Sequence, residues 1–470
     1  MAKFDPVQLA GWAGGVWRNG IPGCVEGVCA DSRKIKGGDL FVAIRGKNFD
    51  GHDFVPAAFS GGASGALVSA GLPEQAAPGP LLMVNDTAAA LRQMAAGYRR
   101  SLGARIVAVT GSVGKTTVKE MVASVFARRM ATAKTIGNWN NEFGLPLSIL
   151  GMDPGAAAGI FELGVSHPGE LPPLARLLAP DWGIITNIGC AHIEYFGTEQ
   201  AVADEKSALL RCLPGGGLAF VWRDQRWFEA LKSAAACRVI AIGEHEDSDY
   251  RLLGHNPESL ETKVREKHTG DVCAFRAPLP GQHVALNALF AVAAGRAGGL
   301  DWQTIREGLE SCRAQPMRWQ SEEFEGVRII NDAYNANPVS MAAALKTFAL
   351  SACAGRKWLV LAGMHELGAL AEAAHAELGA ALARLPRPIL LAVGPLGSKI
   401  ADAAEKAGLA GNDIYRCADH RAAAAVLAGS VRAGDAVLFK ASRCERLEKV
   451  LEAWKAAAQT APAGHAQIGH

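Results

Sequence analysis

The junction of three patterns between residues 106 and 129 most constrains how this chain can fold. Residues 106–109, Ile-Val-Ala-Val, form an uninterrupted apolar run. Thr110-Gly111-Ser112-Val113-Gly114-Lys115-Thr116-Thr117 follows, and residues 118–129 then carry apolar positions at helical spacing. An apolar run without alternation needs cover on both faces, which a parallel sheet flanked by helices supplies. Strand, glycine turn and helix in that order therefore place the chain among α/β folds.

The same rhythm continues through apolar runs at 159–163, 183–188, 218–222 and 239–242. Before it, shorter strands at 40–44, 66–68 and 81–84 are separated by glycine-rich turns and read as a small α/β module. Near 313–317 a new alternation begins, with strands expected at 327–330, 358–361, 389–393 and 436–440 and alanine-rich helices at 341–349 and 370–383. A chain of 470 residues exceeds the ~250 to 300 residues at which single cores stop growing. The expected layout is three α/β domains. Residues 1–100 form the small module, 101–314 a central parallel-sheet phosphate-loop ATPase domain, and 315–458 a doubly wound, Rossmann-like domain. Residues 459–470, rich in Ala, Pro, Gly and His, form a loose tail.

Lysine and arginine total 48 against 46 acidic residues, so no global field points to nucleic acid or an anionic membrane surface. Residues 1–6 include Lys3 and Asp5 and hold no apolar run, and no stretch approaches the ~18 apolar residues of a spanning helix. A cytoplasmic protein is expected. The ten cysteines are scattered, and Cys24 and Cys29 fit neither a CxxC motif nor a disulfide framework, so reduced thiols are expected.

In the glycine turn, backbone N–H groups and the helix start converge on an anion, the requirement for holding nucleotide phosphates. Gly111, Ser112, Val113, Gly114, Lys115, Thr116 and Thr117 are the expected ATP contacts. Lys115 reaches the terminal phosphates, and the Thr116 hydroxyl ligates the accompanying Mg2+. The match to GxxxxGK[ST] is incomplete, because its first glycine falls on Val109 and Gly111 takes over the tight turn. The competing reading is an ordinary strand-to-helix turn with a chance Gly-Lys-Thr.

Taken with the segments Gly137-Asn138-Trp139-Asn140-Asn141, Glu162-Leu163-Gly164, Thr186-Asn187-Ile188-Gly189 with His192, and Asp332-Ala333-Tyr334-Asn335-Ala336-Asn337-Pro338, the loop resembles the Mur ligase family. These are the ATP-dependent amino acid and peptide ligases of peptidoglycan assembly. A ligase that makes an acyl phosphate must neutralise crowded phosphate and carboxylate charge, usually with two metal ions. By the resemblance, Glu162 and His192 hold a second Mg2+, and Lys206 in Ala203-Asp204-Glu205-Lys206-Ser207 is carbamylated and joins them. Alone, His192 reads as a loop histidine, Glu162 as a solvated strand-end charge and Lys206 as a solvated or ion-paired helix lysine.

The resemblance further implies that Asn287 faces adenine, with Val284 in place of an earlier asparagine and His283 structural. Arg318 contacts the terminal phosphate, although Met317 stands where a glycine commonly precedes it; Asp332 and Asn335 contact ribose and ATP. Asn337 and Pro338 also suit a helix cap followed by its first residue. Gly363 stands where a carboxylate is usual, and Gly434-Asp435 with Lys440-Ala441-Ser442-Arg443 are candidates for touching the incoming peptide. Ser32 and Arg33 suit a UDP diphosphate, with Asn138 and Asn141 as further substrate contacts.

The implied reaction joins D-alanyl-D-alanine to UDP-N-acetylmuramoyl-tripeptide through an acyl phosphate, with ATP and Mg2+ as cofactors, Lys115, Lys206 and Arg318 as the catalytic residues, and a monomer as the working form. Two alternatives stand beside it. One is another ligase of the family, such as the one adding the third residue, or a folylpolyglutamate synthase. The other is a phosphate-loop NTPase switch that makes no bond.

Overall fold

The computed structural model describes residues 2–46, 48–69 and 78–460. The expected tail therefore lies outside the described residues from 461 onward, and its first two residues belong to the last helix, Glu448–Thr460.

Three α/β sheets are built along the chain. The first has the order Val16–Arg18, Leu81–Val84, Gly65–Ser69, Asp39–Val42, Gly27–Cys29, parallel except for the antiparallel Val16–Arg18 edge. Helix Thr87–Ser101 leads out of it, its first amides at Ala88 and Ala89 capped by the Asp86 carboxylate. The second sheet orders Thr132–Lys134, Ala158–Glu162, Arg105–Thr110, Trp182–Ile185, Leu218–Trp222 and Arg238–Gly243, all parallel, with Tyr250 and Arg251 continuing beside Ile242 and Gly243. Its central strand, Arg105–Thr110, is buried from Ile106 onward. A strand without side-chain alternation is expected there, since helices cover both faces.

By contact density the chain divides into two compact units. One comprises residues 1–188, 203–251 and 289–309 and holds the first two sheets; the other comprises 189–202, 252–288 and 310–470. In the second unit, Glu261–Glu266 and Val272–Arg276 form an antiparallel pair. Its main sheet orders Gln320–Phe324, Val327–Asn331, Ala436–Lys440, Lys357–Leu361, Pro388–Val393 and Ile414–Cys417, parallel apart from the first strand. Helices Pro338–Leu350, Ala371–Leu382 and Gly394–Lys406 bury Met341, Leu378 and Ile400 against one face. Helices His420–Ser430 and Glu448–Thr460 bury Leu427, Val450 and Trp454 against the other. This is the doubly wound arrangement expected from the alternation after 317.

Two expectations need correction. The strand expected over 183–188 stops at Ile185, because Thr186 and Asn187 turn away to bond the glycine loop. Asp435 is not grouped with Lys440 and Arg443, since it precedes strand Ala436–Lys440 and they follow at its other end. Its carboxylate is occupied there by the Arg356 and Arg432 amides and the Trp358 ring N–H. None of the ten cysteines is joined in a disulfide.

Candidate active site

In the first unit, helix Lys115–Phe126 begins at Gly114, whose φ of 85° is left-handed, and no side chain caps it. The opening amides of a helix have no intrahelical acceptor, and the helix dipole favours an anion there. Gly111, at φ 146°, permits the close approach of Thr186; a Cβ at 111 would lie 2.0 Å from the Thr186 hydroxyl. Asn187 grips the loop twice, its carbonyl accepting the Ser112 N–H at 2.9 Å and its Oδ1 the Val113 N–H at 2.9 Å. The Thr186 hydroxyl donates to the Val113 carbonyl at 2.5 Å. The Ser112 and Val113 amides are thus engaged within the protein, and the anion-binding capacity sits at the helix start. Lys115 Nζ arches over the loop, 2.8 Å from the Gly111 carbonyl.

Beside the loop, Glu162 ends strand Ala158–Glu162 with 2% of its surface exposed. Thr116 Oγ1 donates to its Oε2 at 2.7 Å and Asn140 Nδ2 to its Oε1 at 2.7 Å, while its backbone N–H donates to Thr135 Oγ1. Both carboxylate oxygens are met by neutral donors, so the sequence-level alternative of a solvated charge does not hold. Asn138 is exposed, and Asn141 accepts the Gly144 amide at the next helix. Asn140, which sequence reasoning passed over, is the asparagine of that segment that reaches the carboxylate. Gly164 leaves it room, because a Cβ there would lie 2.6 Å from the Asn140 amide.

Lys206 lies on helix Glu199–Arg211 with 3% exposure. Burial first, and then the charge of Lys115, pull its pKa down to about 7, against a smaller opposing pull from Glu205. The Glu205 carboxylate instead accepts the amides of Gly169 and Leu171. The amine makes no ion pair among the described residues, so the solvated and ion-paired readings are both replaced by a buried, readily deprotonated amine. Fully buried Lys119, likewise passed over, donates to the Gly137 carbonyl at 3.3 Å and pairs with Glu120 at 2.8 Å, steadying the asparagine loop. In the first sheet's domain, Ser32 and Arg33 lie on a short 3-10 turn after Asp31, and the exposed Arg33 guanidinium forms a fork on the Asp31 carboxylate at 2.9 and 3.0 Å.

In the second unit, His192 takes a left-handed φ of 59°. Its Nδ1 lies 2.6 Å from Glu366 Oε2, out of line for a hydrogen bond. Asn287 and His283 are both half-buried on helix Gln282–Ala297, and His283 is held neutral, its pKa lowered to about 4 chiefly by desolvation. The Arg318 guanidinium stacks 4.0 Å over the Tyr334 ring. Met317 at φ 56° and Trp319 at φ 52° flank Arg318 in left-handed backbone, which explains why glycine suits position 317.

The Asp332 carboxylate accepts the Trp319 amide at 3.1 Å and the ammonium of buried Lys440 at 2.6 Å. Lys440 also donates to the Asn335 carbonyl at 3.3 Å, so it supports this segment and is not turned toward an incoming peptide. Asn337 and Pro338 do start helix Pro338–Leu350, as cap and first residue of a capping box with Ser340. At Gly363 a Cβ would lie 2.6 Å from Glu445 Oε1, so a carboxylate stands at that place although it comes from another loop.

Among the described residues no three His, Cys, Asp or Glu side chains gather into a site that could hold a metal alone. The donor chemistry within the first unit still fits a hard cation that arrives with nucleotide phosphates: a buried carboxylate with the Thr116 hydroxyl against it.

The chain is similar to known proteins in each of its three parts. The family profile described as Mur ligase family, catalytic domain, matches residues 25–99; Mur ligase middle domain matches 109–295, and Mur ligase, glutamate ligase domain, matches 317–443. The UDP-N-acetylmuramoyl-tripeptide--D-alanyl-D-alanine ligase of Bacillus subtilis (strain 168) is 34% identical over 91% of this chain and 93% of its own length. A crystal structure of MurF from Acinetobacter baumannii superposes with a TM-score of 0.86 at 27% identity, covering 97% of this chain and 99% of its own. That of a MurF ligase from Thermotoga maritima in complex with ADP gives 0.78 at 27% identity, covering 92% and 98%. No helix among the described residues is long and apolar enough to cross a membrane.

Proposed function

The chain belongs to the Mur ligase family, and from that premise we infer that it is an ATP-dependent, ADP-forming ligase joining D-alanyl-D-alanine to UDP-N-acetylmuramoyl-tripeptide. The breadth of the likeness carries this reading, since it runs through all three domains of the chain.

In the reaction, the γ-phosphoryl group of ATP passes to the terminal carboxylate of the tripeptide, giving ADP and an acyl phosphate. The dipeptide amine then attacks the acyl carbon, the amide bond forms, and phosphate and a proton leave. The helix-start amides and Lys115 bind the ATP phosphates and stabilise charge developing during transfer. Thr116, Glu162, His192 and Lys206 are the residues that would hold Mg2+, which supplies positive charge to crowded phosphate and carboxylate oxygens when bound. A neutral amine adds carbon dioxide to give a carbamate and a proton, and the low pKa of Lys206 keeps much of it neutral near pH 7. Asn140 holds the Glu162 carboxylate in place.

Arg318 completes the phosphate contacts, Asn287 faces adenine, and Asp332 with Asn335 holds the ribose. Ser32 and Arg33 bind the UDP diphosphate, with Asn138 and Asn141 as further substrate contacts. The domains divide this work as 1–100 for the UDP-sugar, 101–314 for ATP and 315–458 for the ligation partner. The chain works as a monomer in the cytoplasm.

Purified protein supplied with ATP, UDP-N-acetylmuramoyl-tripeptide and D-alanyl-D-alanine is expected to release ADP and phosphate only when all three are present, with the pentapeptide found by mass spectrometry. Full turnover without the dipeptide would sink this reading. Tripeptides differing in the third residue, offered in the same assay, identify the one preferred.

A further inference from the structure

The sheet of the second unit changes winding direction between two neighbouring strands. Helix Ala371–Leu382, which follows strand Lys357–Leu361, packs on one face, whereas helix Glu448–Thr460, which follows Ala436–Lys440, packs on the other. Where adjacent strands send their chains to opposite faces, a crevice opens beyond their C-terminal ends, and open α/β sheets bind ligands there.

The two loops at this crevice are stitched together. Ser442 N–H donates to the Gly363 carbonyl at 3.0 Å, and the His365 N–H donates to Ser442 Oγ at 3.0 Å. The backbone of Glu445 is held at both ends, its N–H by the Ser442 carbonyl and its carbonyl by His420 Nε2 at 2.7 Å. Its side chain crosses to His365, Oε1 to Nε2 at 2.6 Å, filling the space a side chain at Gly363 would need. The imidazole is 41% exposed and the carboxylate 21%, so this anchored pair faces solvent at the crevice. Arg443 is turned to Glu448 at 2.7 Å.

A carboxylate at this point repels phosphates and attracts a cation. Of the groups brought by the three substrates, the phosphates of ATP and of the UDP-sugar and the tripeptide carboxylates are anionic; the amino group of the dipeptide is cationic, and it is the amine that must be held for bond formation. We propose that Glu445, oriented by His365, receives the amino group of the incoming dipeptide in this crevice and is a specificity-determining residue for the acceptor. The proposal rests on the ligase reading above.

The wild-type protein is first shown to make pentapeptide; failure there strikes the ligase reading, whereas everything below strikes only this proposal. Glu445→Gln is expected to raise the KM for D-alanyl-D-alanine about tenfold or more, the value of a hydrogen bond to a charged group, with the KM values for ATP and the UDP-tripeptide little changed. Glu445→Asp recovers part of the loss. His365→Gln gives a smaller rise, and adding it to Glu445→Gln gives little more, because it acts through the carboxylate. D-lactyl-D-alanine, which has a hydroxyl in place of the amine, separates this role from a structural one: its inhibition constant stays the same in Glu445→Gln. An unchanged KM for the dipeptide, or an equal weakening for the amine-free analogue or for ATP, overturns the proposal.

Discussion

Asn140 and Glu162 form a unit whose value can be measured. The 2.7 Å bond from Asn140 is one of two side-chain donors fixing a carboxylate with 2% exposure. Removing it leaves Glu162 with an unmet acceptor next to the phosphate loop. Asn140→Ala should therefore lower kcat/KM for ATP about tenfold to a hundredfold and raise the Mg2+ concentration needed for half-maximal rate. Asn412→Ala, at an exposed position with no part in the site, should stay within about twofold; equal effects from the two would dissociate Asn140 from the carboxylate. Met317 offers a second test. A methionine at φ 56° bears a backbone strain of about 1 kcal/mol that glycine relieves, offset in part by the greater freedom glycine brings to the unfolded chain. Met317→Gly should then leave thermal stability unchanged or raised by up to about 1 kcal/mol. A clear loss would mean that the methionine side chain, not the backbone angle, matters there.

The phosphate loop is held by the end of the neighbouring strand. Thr186 and Asn187 leave the sheet after Ile185 in order to clamp Ser112 and Val113, and Gly111 gives them access. Gly111→Ala meets two obstacles, a φ of 146° and a Cβ 2.0 Å from the Thr186 hydroxyl. It should cost about 1 to 3 kcal/mol and weaken ADP binding in a titration. Thr186→Ala in that background should restore only part, since the backbone angle remains; full restoration would assign the whole effect to the clash. This clamp marks the limit of what the sequence makes legible. Long apolar runs such as 106–109 and 218–222 announce their strands, because burial on both faces leaves no polar position to blur them. Val16–Arg18, Thr132–Lys134 and Gln320–Phe324 are edge strands, short or half-exposed, and carry too little pattern. Glu261–Glu266 does alternate, burying Thr262, Val264 and Glu266, and that period of two was a usable signal. Ligand-bearing segments stand out because glycine, lysine and threonine occur together at fixed spacing. The partners Asn140 with Glu162, Lys440 with Asp332 and Glu445 with His365 are 22, 108 and 80 positions apart, and only the folded chain brings them together.

Across the molecule, bases whose pKa desolvation lowers tie stability to pH, most strongly His283 in one compact unit and Lys206 in the other, with smaller shifts of the same sign at His255, His375 and Lys357. His283 titrates at about 4 in the folded protein against 6.5 ordinarily, and Lys206 at about 7 against 10.5. In both, the unfolded chain binds the proton more tightly. Each therefore destabilises the fold fully below its folded pKa, and the penalty is relieved as pH rises from the folded to the unfolded value. His283 acts between about pH 4 and 6.5, and Lys206 between about 7 and 10.5. Tyr98, raised to about 12 by burial, opposes this only above its ordinary value of 10, where the unfolded chain loses its proton first. The carboxylates with lowered values, such as Glu120 and Asp435, contribute in full above about pH 5 and add no slope beyond it. Stability in carbon-dioxide-free buffer should accordingly climb from pH 5 to 9 in two steps. His283→Gln should reduce the lower step, to which His255 and His375 also contribute, and Lys206→Met should reduce the upper one, each also raising stability at the acidic end of its window. Thermal melts at unit pH intervals would read both, and a Lys206→Met protein that kept the wild-type slope between pH 7 and 9 would show that this lysine is charged in the fold. Bicarbonate supplies the second half of the test: if the amine is neutral and takes up carbon dioxide, wild-type melts near pH 8 should shift with added bicarbonate while Lys206→Met melts stay put, because a ligand that binds only the folded lysine stabilises only the protein that has it.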